Sequence, residues 1–217
     1  MTGEQLLEEG QKIARPCVYL NDVGEGEIAA LWGGAGVVES PEGPYKHWLS
    51  LDCQFLPQNP ANLTGCLSIY TDEEDIEGGI VAPDANISLP SAENGSIPLF
   101  GQKSLSLPPI DAVFQFGSAA VQDWLSSYGW KPDWGYNDNF KGRDIVAEYE
   151  SAIQKVSPIY NASTFAQLGG WNIPWPEDDW DELLDQILLV WTFKDAEPWV
   201  EVWLDNAQTM RVIQRIT

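Results

Sequence analysis

The single histidine limits the nucleophilic chemistry that this chain could perform. His47 stands in Tyr45-Lys46-His47-Trp48, next to a turn rich in proline and glycine. A serine or cysteine nucleophile needs a neighbouring base to take its proton, and histidine is the usual base. The sequence contains no Gly-x-Ser-x-Gly nucleophile turn. We therefore interpret His47 as a structural residue at the edge of a strand, and a functional role is the alternative.

The sequence patterns of metal and phosphate sites are missing as well. Cys17, Cys53 and Cys66 are scattered without Cys-x-x-Cys spacing, whereas structural zinc sites use four nitrogen or sulfur ligands. We expect buried free thiols in a reducing compartment. The glycine-rich segment 33–36 lacks the Lys-Ser/Thr pair of a phosphate-binding loop. We predict no metal and no cofactor.

Carboxylates and indoles remain as the informative groups, and one stretch interleaves them. Trp171, Trp175 and Trp180 alternate there with an acidic run that includes Asp178 and Asp179. Indole faces attract cations, and tryptophan is enriched at binding hot spots. The predicted binding residues come from this stretch and from the aromatic segment 129–140: Trp171, Trp175, Asp178, Asp179, Trp180, Trp130, Trp134 and Tyr136. The alternative is that most of these tryptophans cover the sheet and that the acidic run is a solvated loop.

The net charge narrows the class of partner. The chain carries 33 acidic and 11 basic residues, for a net charge of −22. Such a field repels nucleic acid and anionic membranes and steers a basic partner inward. Segment 1–16 is acidic without an apolar core, so no signal peptide is expected, and no uncharged apolar run approaches the ~20 residues that span a bilayer. We predict a cytoplasmic protein that binds a basic protein; the alternative is an acidic surface that only maintains solubility.

Two other function classes stay open from the sequence. A carbohydrate-active hydrolase would use two carboxylates roughly 5–10 Å apart across a cleft, with tryptophan platforms for the sugar. A structural subunit would bury its tryptophan surface in a homodimer, so the sequence is compatible with a monomer or a homodimer. The leading hypothesis is a non-enzymatic protein-binding module, because the patterns of a catalytic triad and of a metal site are missing.

The hydrophobic periodicity predicts more strands than helices. Amphipathic spacing indicates helices over 3–15, 118–128 and 142–156, and β-branched and aromatic runs indicate strands over 17–20, 27–32, 47–55, 65–70, 183–193, 199–204 and 210–216. Segment 83–109 is expected to form extended pieces and turns, and 111–116 fits a strand or a helix. Because strands and helices rarely alternate, the predicted class is α+β with largely antiparallel sheet, in a single compact domain over residues 1–217.

Two stretches, about 29–72 and 166–205, share an order of markers that indicates an internal duplication. Each has a Gly-Gly pair, then two strands, then an aspartate. The markers are Gly34, Gln54 and Asp72 in the first stretch and Gly170, Gln186 and Asp205 in the second. Their spacings are 20 and 18 residues (54−34, 72−54) against 16 and 19 (186−170, 205−186). We predict two similar units with helices between them, although a Gly-Gly pair before a strand is also common by itself.

The same pieces resemble a known family. The matching segments are Trp32-Gly33-Gly34, Leu51-Asp52-Cys53-Gln54-Phe55-Leu56, Gly65-Cys66-Leu67-Ser68, Ser106-Leu107-Pro108-Pro109, Leu168-Gly169-Gly170-Trp171 and Leu183-Leu184-Asp185-Gln186-Ile187. In that order they resemble the YwqG-like family of uncharacterised bacterial proteins, from about residue 29 to 205. The resemblance implies an α+β fold with a duplication and assigns no catalytic residue. Small bacterial proteins of this general kind look like immunity proteins encoded beside toxins, which implies an immunity or inhibitor protein that neutralises a basic partner such as a toxin.

Overall fold

The chain is organised as two groups of residues, one rich in helices and one in strands. The structure is a computed structural model that describes residues 1–40, 42–59, 61–72, 74–75, 78–91, 95–129, 143–156, 164–171, 187–192, 199–205 and 208–215. Contacts divide the chain into a helical unit, Met1–Arg15, Leu105–Asn161 and Gly170–Asp178, and a sheet unit, Pro16–Ser104, Ala162–Gly169 and Asp179–Thr217. That the two units form a single domain stays a prediction.

Ten strands form one sheet. They are β1 (Arg15–Asn21), β2 (Ile28–Trp32), β3 (Tyr45–Asp52), β4 (Cys66–Asp72), β5 (Gly79–Asp84), β6 (Ile97–Ser106), β7 (Thr164–Gly169), β8 (Ile187–Thr192), β9 (Trp199–Leu204) and β10 (Met210–Arg215). Their order across the sheet is β10-β9-β8-β7-β1-β6-β2-β3-β4-β5. Neighbouring strands are mostly antiparallel. The predicted α+β class with largely antiparallel sheet is therefore confirmed.

Two runs of consecutive strands flank the centre of this sheet. Strands β2 to β5 pair in chain order on one side, strands β7 to β10 do so on the other, and β1 and β6 lie between them. Both runs have a Gly-Gly pair at the end of their first strand. Gly33, Gly34, Gly169 and Gly170 have φ values of 67°, 67°, 64° and 84°, which only glycine adopts without strain. The internal duplication itself stays a prediction.

The sheet curves until it is nearly a barrel. Its outermost strands, β5 and β10, lie against each other, and a Cβ on Gly79 would come within 2.6 Å of Val212 Cγ1. Gln214 on β10 reaches across this junction, and its Nε2 donates to the carbonyls of Asp72 and Asp75 at 3.2 Å each and to that of Gly78. The junction therefore covers edge strands that would otherwise offer unpaired backbone groups to another chain.

One face of the sheet forms the hydrophobic core of the sheet unit. Its fully buried residues include Leu49, Leu51, Leu67, Ile69, Leu99, Val190, Val200 and Val202. Two tryptophans pack on the same core: the Trp32 ring lies 6.3 Å from that of Trp48 and 4.7 Å from that of Phe165, centroid to centroid. Trp48 Nε1 donates to Thr192 Oγ1 at 3.3 Å. These two indoles cover the sheet, as the alternative interpretation of the tryptophans expects.

Four helices lie in the described part of the helical unit. They are α1 (Gly3–Lys12), α2 (Ile110–Phe116), α3 (Ala119–Tyr128) and α4 (Ile145–Gln154). They share a second apolar cluster that includes Leu6, Val113, Leu125 and Tyr149. A capping box of Thr2 and Gln5 begins α1, the Asp144 carboxylate accepts from the Ala147 amide at the start of α4, and Gly129 ends α3 in the left-handed region.

The predicted elements agree with these helices and strands except in three places. Helices were expected for α1, α3 and α4, and segment 111–116 proves to be helix α2. Strands β1 to β4 and β8 to β10 begin or end within a few residues of the predicted ranges where the structure describes them. Strands β5 and β7 were not predicted, and β6 was expected only as extended pieces.

Thr192→Val tests how much the buried polar link to Trp48 contributes. Thr192 Oγ1 accepts from Trp48 Nε1 and, at 2.9 Å, from the Val200 amide. Valine keeps the shape but leaves two buried donors without an acceptor, so we expect the free energy of unfolding to fall by about 1–3 kcal/mol in urea denaturation. Thr209→Val, at an exposed turn residue, is the matched control and should change it by less than about 0.5 kcal/mol. Equal effects of the two substitutions would contradict the prediction.

Candidate functional site

A chain of hydroxyl groups and one imidazole is buried on the face of β3 and β4 that is opposite the core. We call His47, Ser50, Ser68 and Tyr70 the His47 cluster. His47 Nε2 lies 2.8 Å from Ser50 Oγ, and Ser50 Oγ lies 2.6 Å from Ser68 Oγ. The His47 ring packs edge-on against Tyr70 at 5.5 Å. All four residues are buried, the two serines completely.

Strand register brings these four residues together. Ser50 is opposite Ser68, and His47 is opposite Tyr70, in the antiparallel β3–β4 pair. Side chains alternate between the two faces of a strand. Ser50 and Ser68 therefore lie on the face opposite to that of their apolar neighbours. A bulge between His47 and Leu49 shifts the alternation by one residue and keeps His47 beside Ser50.

The His47 cluster holds a loop, residues 33–40, against the sheet. The amides of Val37 and Val38 donate to Ser50 Oγ at 3.1 Å and to Ser68 Oγ at 3.0 Å. The Tyr70 hydroxyl donates to the Val38 carbonyl, and a Cβ at Gly36 would overlap the same hydroxyl. A residue with a side chain therefore cannot replace Gly36 unless the Tyr70 side chain or the loop moves.

The partners of His47 determine which ring nitrogen carries the proton. Nδ1 lies 3.1 Å from the Gly33 carbonyl, which can only accept, so Nδ1 is protonated. In the neutral ring Nε2 is then an acceptor, and Ser50 donates to it. Ser50 Oγ in turn accepts from the Val37 amide and from the Ser68 hydroxyl. Each of these buried groups has a partner, as buried polar groups need.

The His47–Ser50 contact has the geometry of a base beside a nucleophile, but the cluster is closed. Burial lowers the pKa of His47 below its ordinary value of 6.5, although the carbonyls of Gly33, Gly34 and Leu49 partly oppose that shift. The imidazole is therefore neutral at pH 7 and can accept a proton. Ser50 Oγ, however, is fully buried beneath loop 33–40 and already accepts two hydrogen bonds. In this conformation the His47 cluster holds loop 33–40 in place through hydrogen bonds.

Exposed carboxylates lie at the end of the sheet next to the His47 cluster. We call Glu39, Glu42, Asp72, Glu74 and Asp75 the acidic end. Asp72, the last residue of β4, is opposite Tyr45, the first residue of β3. The segment that precedes β3 and the segment that follows β4 therefore join the sheet at the same end. The Asp72 carboxylate accepts from the amides of Glu74 at 2.8 Å and Asp75 at 3.2 Å. Glu39, Glu42, Glu74 and Asp75 are exposed.

Three carboxylates of the acidic end form no ion pair within the described ranges. The ion pairs there join Lys12 to Glu9, Arg143 to Glu148 and Lys155 to Glu4; none involves Glu39, Glu42 or Glu74. Burial raises the pKa of Tyr70, and the charge of Glu39 raises it further. The Glu39 carboxylate on loop 33–40 therefore lies near Tyr70 of the His47 cluster. Glu39, Glu42 and Glu74 are thus available for an external cation.

The structure places one of the predicted binding residues, Trp171, inside the helical unit. Its Nε1 donates to the Ile13 carbonyl at 3.0 Å, and its amide donates to Ser106 Oγ at 3.0 Å. The Arg15 guanidinium carbon lies 3.4 Å from the indole centroid, and the Phe116 ring lies 5.7 Å away. The indole is 6% exposed, so the cation on its face belongs to the chain itself. A role of Trp171 in binding a partner stays a prediction.

The other predicted binding residues lie outside the described residues. They are Trp175, Asp178, Asp179, Trp180, Trp130, Trp134 and Tyr136. The tryptophans within the described ranges are all buried or half-buried: Trp32, Trp48, Trp124, Trp171, Trp191, Trp199 and Trp203. Sequence reasoning missed Ser50, Ser68 and Tyr70. The available signal was a serine within each of two apolar strand runs, 47–52 and 66–72.

A groove of about 630 Å³ lies between α1 and α4 and is lined in part by carboxylates, as the active site of a hydrolase would be. Its carboxylates include Asp144 and Glu148. Asp144 caps α4, and Glu148 accepts from Arg143 Nε at 3.0 Å and from its Nη2 at 2.6 Å. The Arg143 guanidinium lowers the pKa of Glu148. Both carboxylates are thus held by the protein, which is not the arrangement of a general acid facing a nucleophile.

The cysteines are not suited to bind a metal or to act as nucleophiles. Cys17, Cys53 and Cys66 are free and buried, and burial raises their pKa values to about 11, about 11 and about 12. The thiols are therefore protonated at neutral pH. Among the described residues, no three His, Cys, Asp or Glu side chains are grouped to hold a metal ion. No described helix is long and apolar enough to cross a membrane.

A pH titration tests the His47 cluster directly, because His47 is the single histidine and its ring protons can be assigned in an NMR spectrum without overlap from another imidazole. We expect its midpoint below 6.5, since burial disfavours the charged ring. Between the folded and unfolded pKa values the unfolded chain binds more protons, so the free energy of unfolding should fall as the pH drops below about 6.5. His47→Gln should remove this part of the pH dependence. A midpoint at or above 6.5 would refute the prediction.

Comparison with known proteins assigns no family to this chain. No protein-family model matches it, and no curated protein matches it. The resemblance to the YwqG-like family, and the immunity function that it implies, therefore stay predictions. The geometry of the described residues is the basis on which a function is proposed.

Proposed function

We propose that this protein is a non-enzymatic binding module that holds a basic protein through exposed carboxylates, as an immunity or inhibitor protein does. The observation that carries the proposal is the acidic end, where Glu39, Glu42 and Glu74, exposed carboxylates from two segments, form no ion pair in the described ranges. A net charge of −22 would draw a basic partner towards the protein and accelerate encounter. The acidic end would then provide the local contacts.

Both segments of the acidic end are anchored to the sheet, which favours it over other exposed carboxylates. Loop 33–40, which carries Glu39, is held by the His47 cluster. The turn after β4, which carries Glu74 and Asp75, is held by Gln214. A surface fixed in position loses less conformational entropy when a partner binds, so more of the contact energy appears as affinity.

The predicted tryptophan contacts remain part of the proposal. Trp130, Trp134, Trp175 and Trp180 would supply further contacts to a basic partner, because an indole face attracts arginine and lysine side chains. A basic toxin is the partner that the resemblance suggests, and a cytoplasmic location, with no nucleic-acid or membrane partner, goes with it. The protein would act as a monomer or homodimer.

Substitution of the acidic end against a matched set tests the proposal. The first variant carries E39Q, E42Q, E74Q and D75N; the control carries E8Q, E25Q, E27Q and D123N, all at exposed positions elsewhere. Both raise the net charge by the same four units. Four surface contacts at ~0.2–1 kcal/mol each should weaken the binding of a fluorescent peptide with about ten arginines by about tenfold in the first variant, and by about twofold or less in the control.

Fluorescence anisotropy at about 20 mM and about 200 mM salt measures both affinities and their salt dependence. Equal weakening in the two variants would show that the charge acts diffusely and that the acidic end is not a site. An interaction that salt does not affect would contradict electrostatic capture. A basic peptide that fails to bind the unmodified protein at low salt would overturn the proposed function.

A further inference from the structure

We propose that His47 is a positioning residue whose protonation releases loop 33–40 and thereby weakens the binding of a basic partner at the acidic end. The inference concerns the regulation of that site, so its binding half rests on the proposed function. Its structural half, the release of the loop, stands on the geometry of the His47 cluster alone. The two halves are measured separately below.

The loop depends on the cluster for its attachment. Four hydrogen bonds connect them: Val37 N to Ser50, Val38 N to Ser68, Tyr70 to Val38 O, and His47 Nδ1 to Gly33 O. The sheet ladder does not include residues 34–40, because β2 ends at Trp32 and β3 begins at Tyr45. Changes in the cluster are therefore transmitted directly to the loop.

Protonation reverses the direction of the hydrogen bonds along the cluster. With a proton on Nε2, the ring donates to Ser50, and Ser50 must turn its own proton towards Ser68. Ser68 must then turn its own proton towards the neighbouring Tyr70. Both serine oxygens still accept from the Val37 and Val38 amides after this reversal, so the release depends on the charge that protonation adds.

The charge that protonation creates has no counter-ion within the described cluster. His47 faces Ser50 from β3, Ser68 and Tyr70 from β4, and the carbonyls of Gly33 and Gly34 from the loop. Of the charged groups on these elements, Lys46 is its neighbour in sequence, and the charge of Glu39 acts on Tyr70. A buried cation among neutral groups is costly, and lifting the loop would relieve that cost by admitting water.

The loop has a hinge at its first residues. Gly33 and Gly34 both have φ of 67°, a region from which glycine can rotate without the steric restriction of a Cβ. Rotation there would displace Glu39, whereas Gln214 independently holds the turn that carries Glu74 and Asp75. The anchored arrangement of carboxylates would be lost, and with it the advantage of a surface fixed before binding.

Amide hydrogen exchange of the isolated protein tests the release of the loop. Exchange of the Val37 and Val38 amides is measured at about pH 7.5 and about pH 5.5, on either side of the ordinary histidine value, and corrected for intrinsic rates. We expect the opening equilibrium to rise at least about fivefold at the lower pH, the lower limit of typical coupling between two sites. His47→Gln, an amide that does not titrate, should abolish the increase. An opening equilibrium that is the same at both pH values would overturn the release.

The unmodified protein provides a second measurement that does not depend on the folding of the variant. The pH midpoint of the faster Val37 and Val38 exchange must coincide with the midpoint of the His47 imidazole signal in the NMR titration. Two clearly different midpoints would refute His47 as the trigger. Coincident midpoints would support it even if His47→Gln does not fold.

The arginine peptide tests the binding half of the inference. We expect its affinity to be at least about fivefold lower at pH 5.5 than at pH 7.5, with a ratio of about one in His47→Gln. Released loops without a change in affinity would overturn the regulation and leave the proposed function standing. A peptide that binds at neither pH would overturn the proposed function and the regulation together, and exchange would still decide the release.

Discussion

The junction of the two outermost strands is the constraint on which the sheet unit depends. An open sheet of ten strands would expose two edges with unpaired amides and carbonyls. Here β5 and β10 lie against each other, and the Gln214 amide donates to three carbonyls of the turn after β4. The same hydrogen bonds hold the backbone of Asp72 and Asp75, so the junction that covers the sheet edges also positions the part of the acidic end that follows β4.

The two faces of strands β3 and β4 are stabilised by different interactions. The core face carries Leu49, Leu51 and Leu67. There the stabilising free energy is roughly proportional to the apolar area that is buried and does not depend on the direction of each contact. Ser50 and Ser68 face loop 33–40, where each hydroxyl needs a partner in one geometry. The polar face therefore specifies the position of a loop that the apolar face could not direct, and it makes that position sensitive to a single proton.

The elements that sequence reasoning missed are those whose strand character comes from their neighbours. β7 reads Thr-Phe-Ala-Gln-Leu-Gly, with few β-branched residues, yet it is completely buried between β1 and β8. β5 contains Pro83, which a central strand would not accept; as an outermost strand it is hydrogen-bonded only to β4, where Pro83 is opposite Leu67, so the proline removes no ladder bond on the other side. In both, tertiary context outweighs local propensity. The amphipathic helices α1, α3 and α4 were predictable because their buried residues recur within a few positions.

Local and additive properties could be inferred from the residues alone. These are the charge of −22, the α+β class with antiparallel strands, the helices, and the Gly-Gly turns with positive φ at Gly33, Gly34, Gly169 and Gly170. Long-range packing, in contrast, brings Ser50 and Ser68, 18 residues apart, into a hydrogen bond and places Arg15 over the face of Trp171. Both contacts depend on strand register and on how distant segments pack. A shift of one residue would turn every side chain of a strand to the other face, and local spacing contains no information about which register forms.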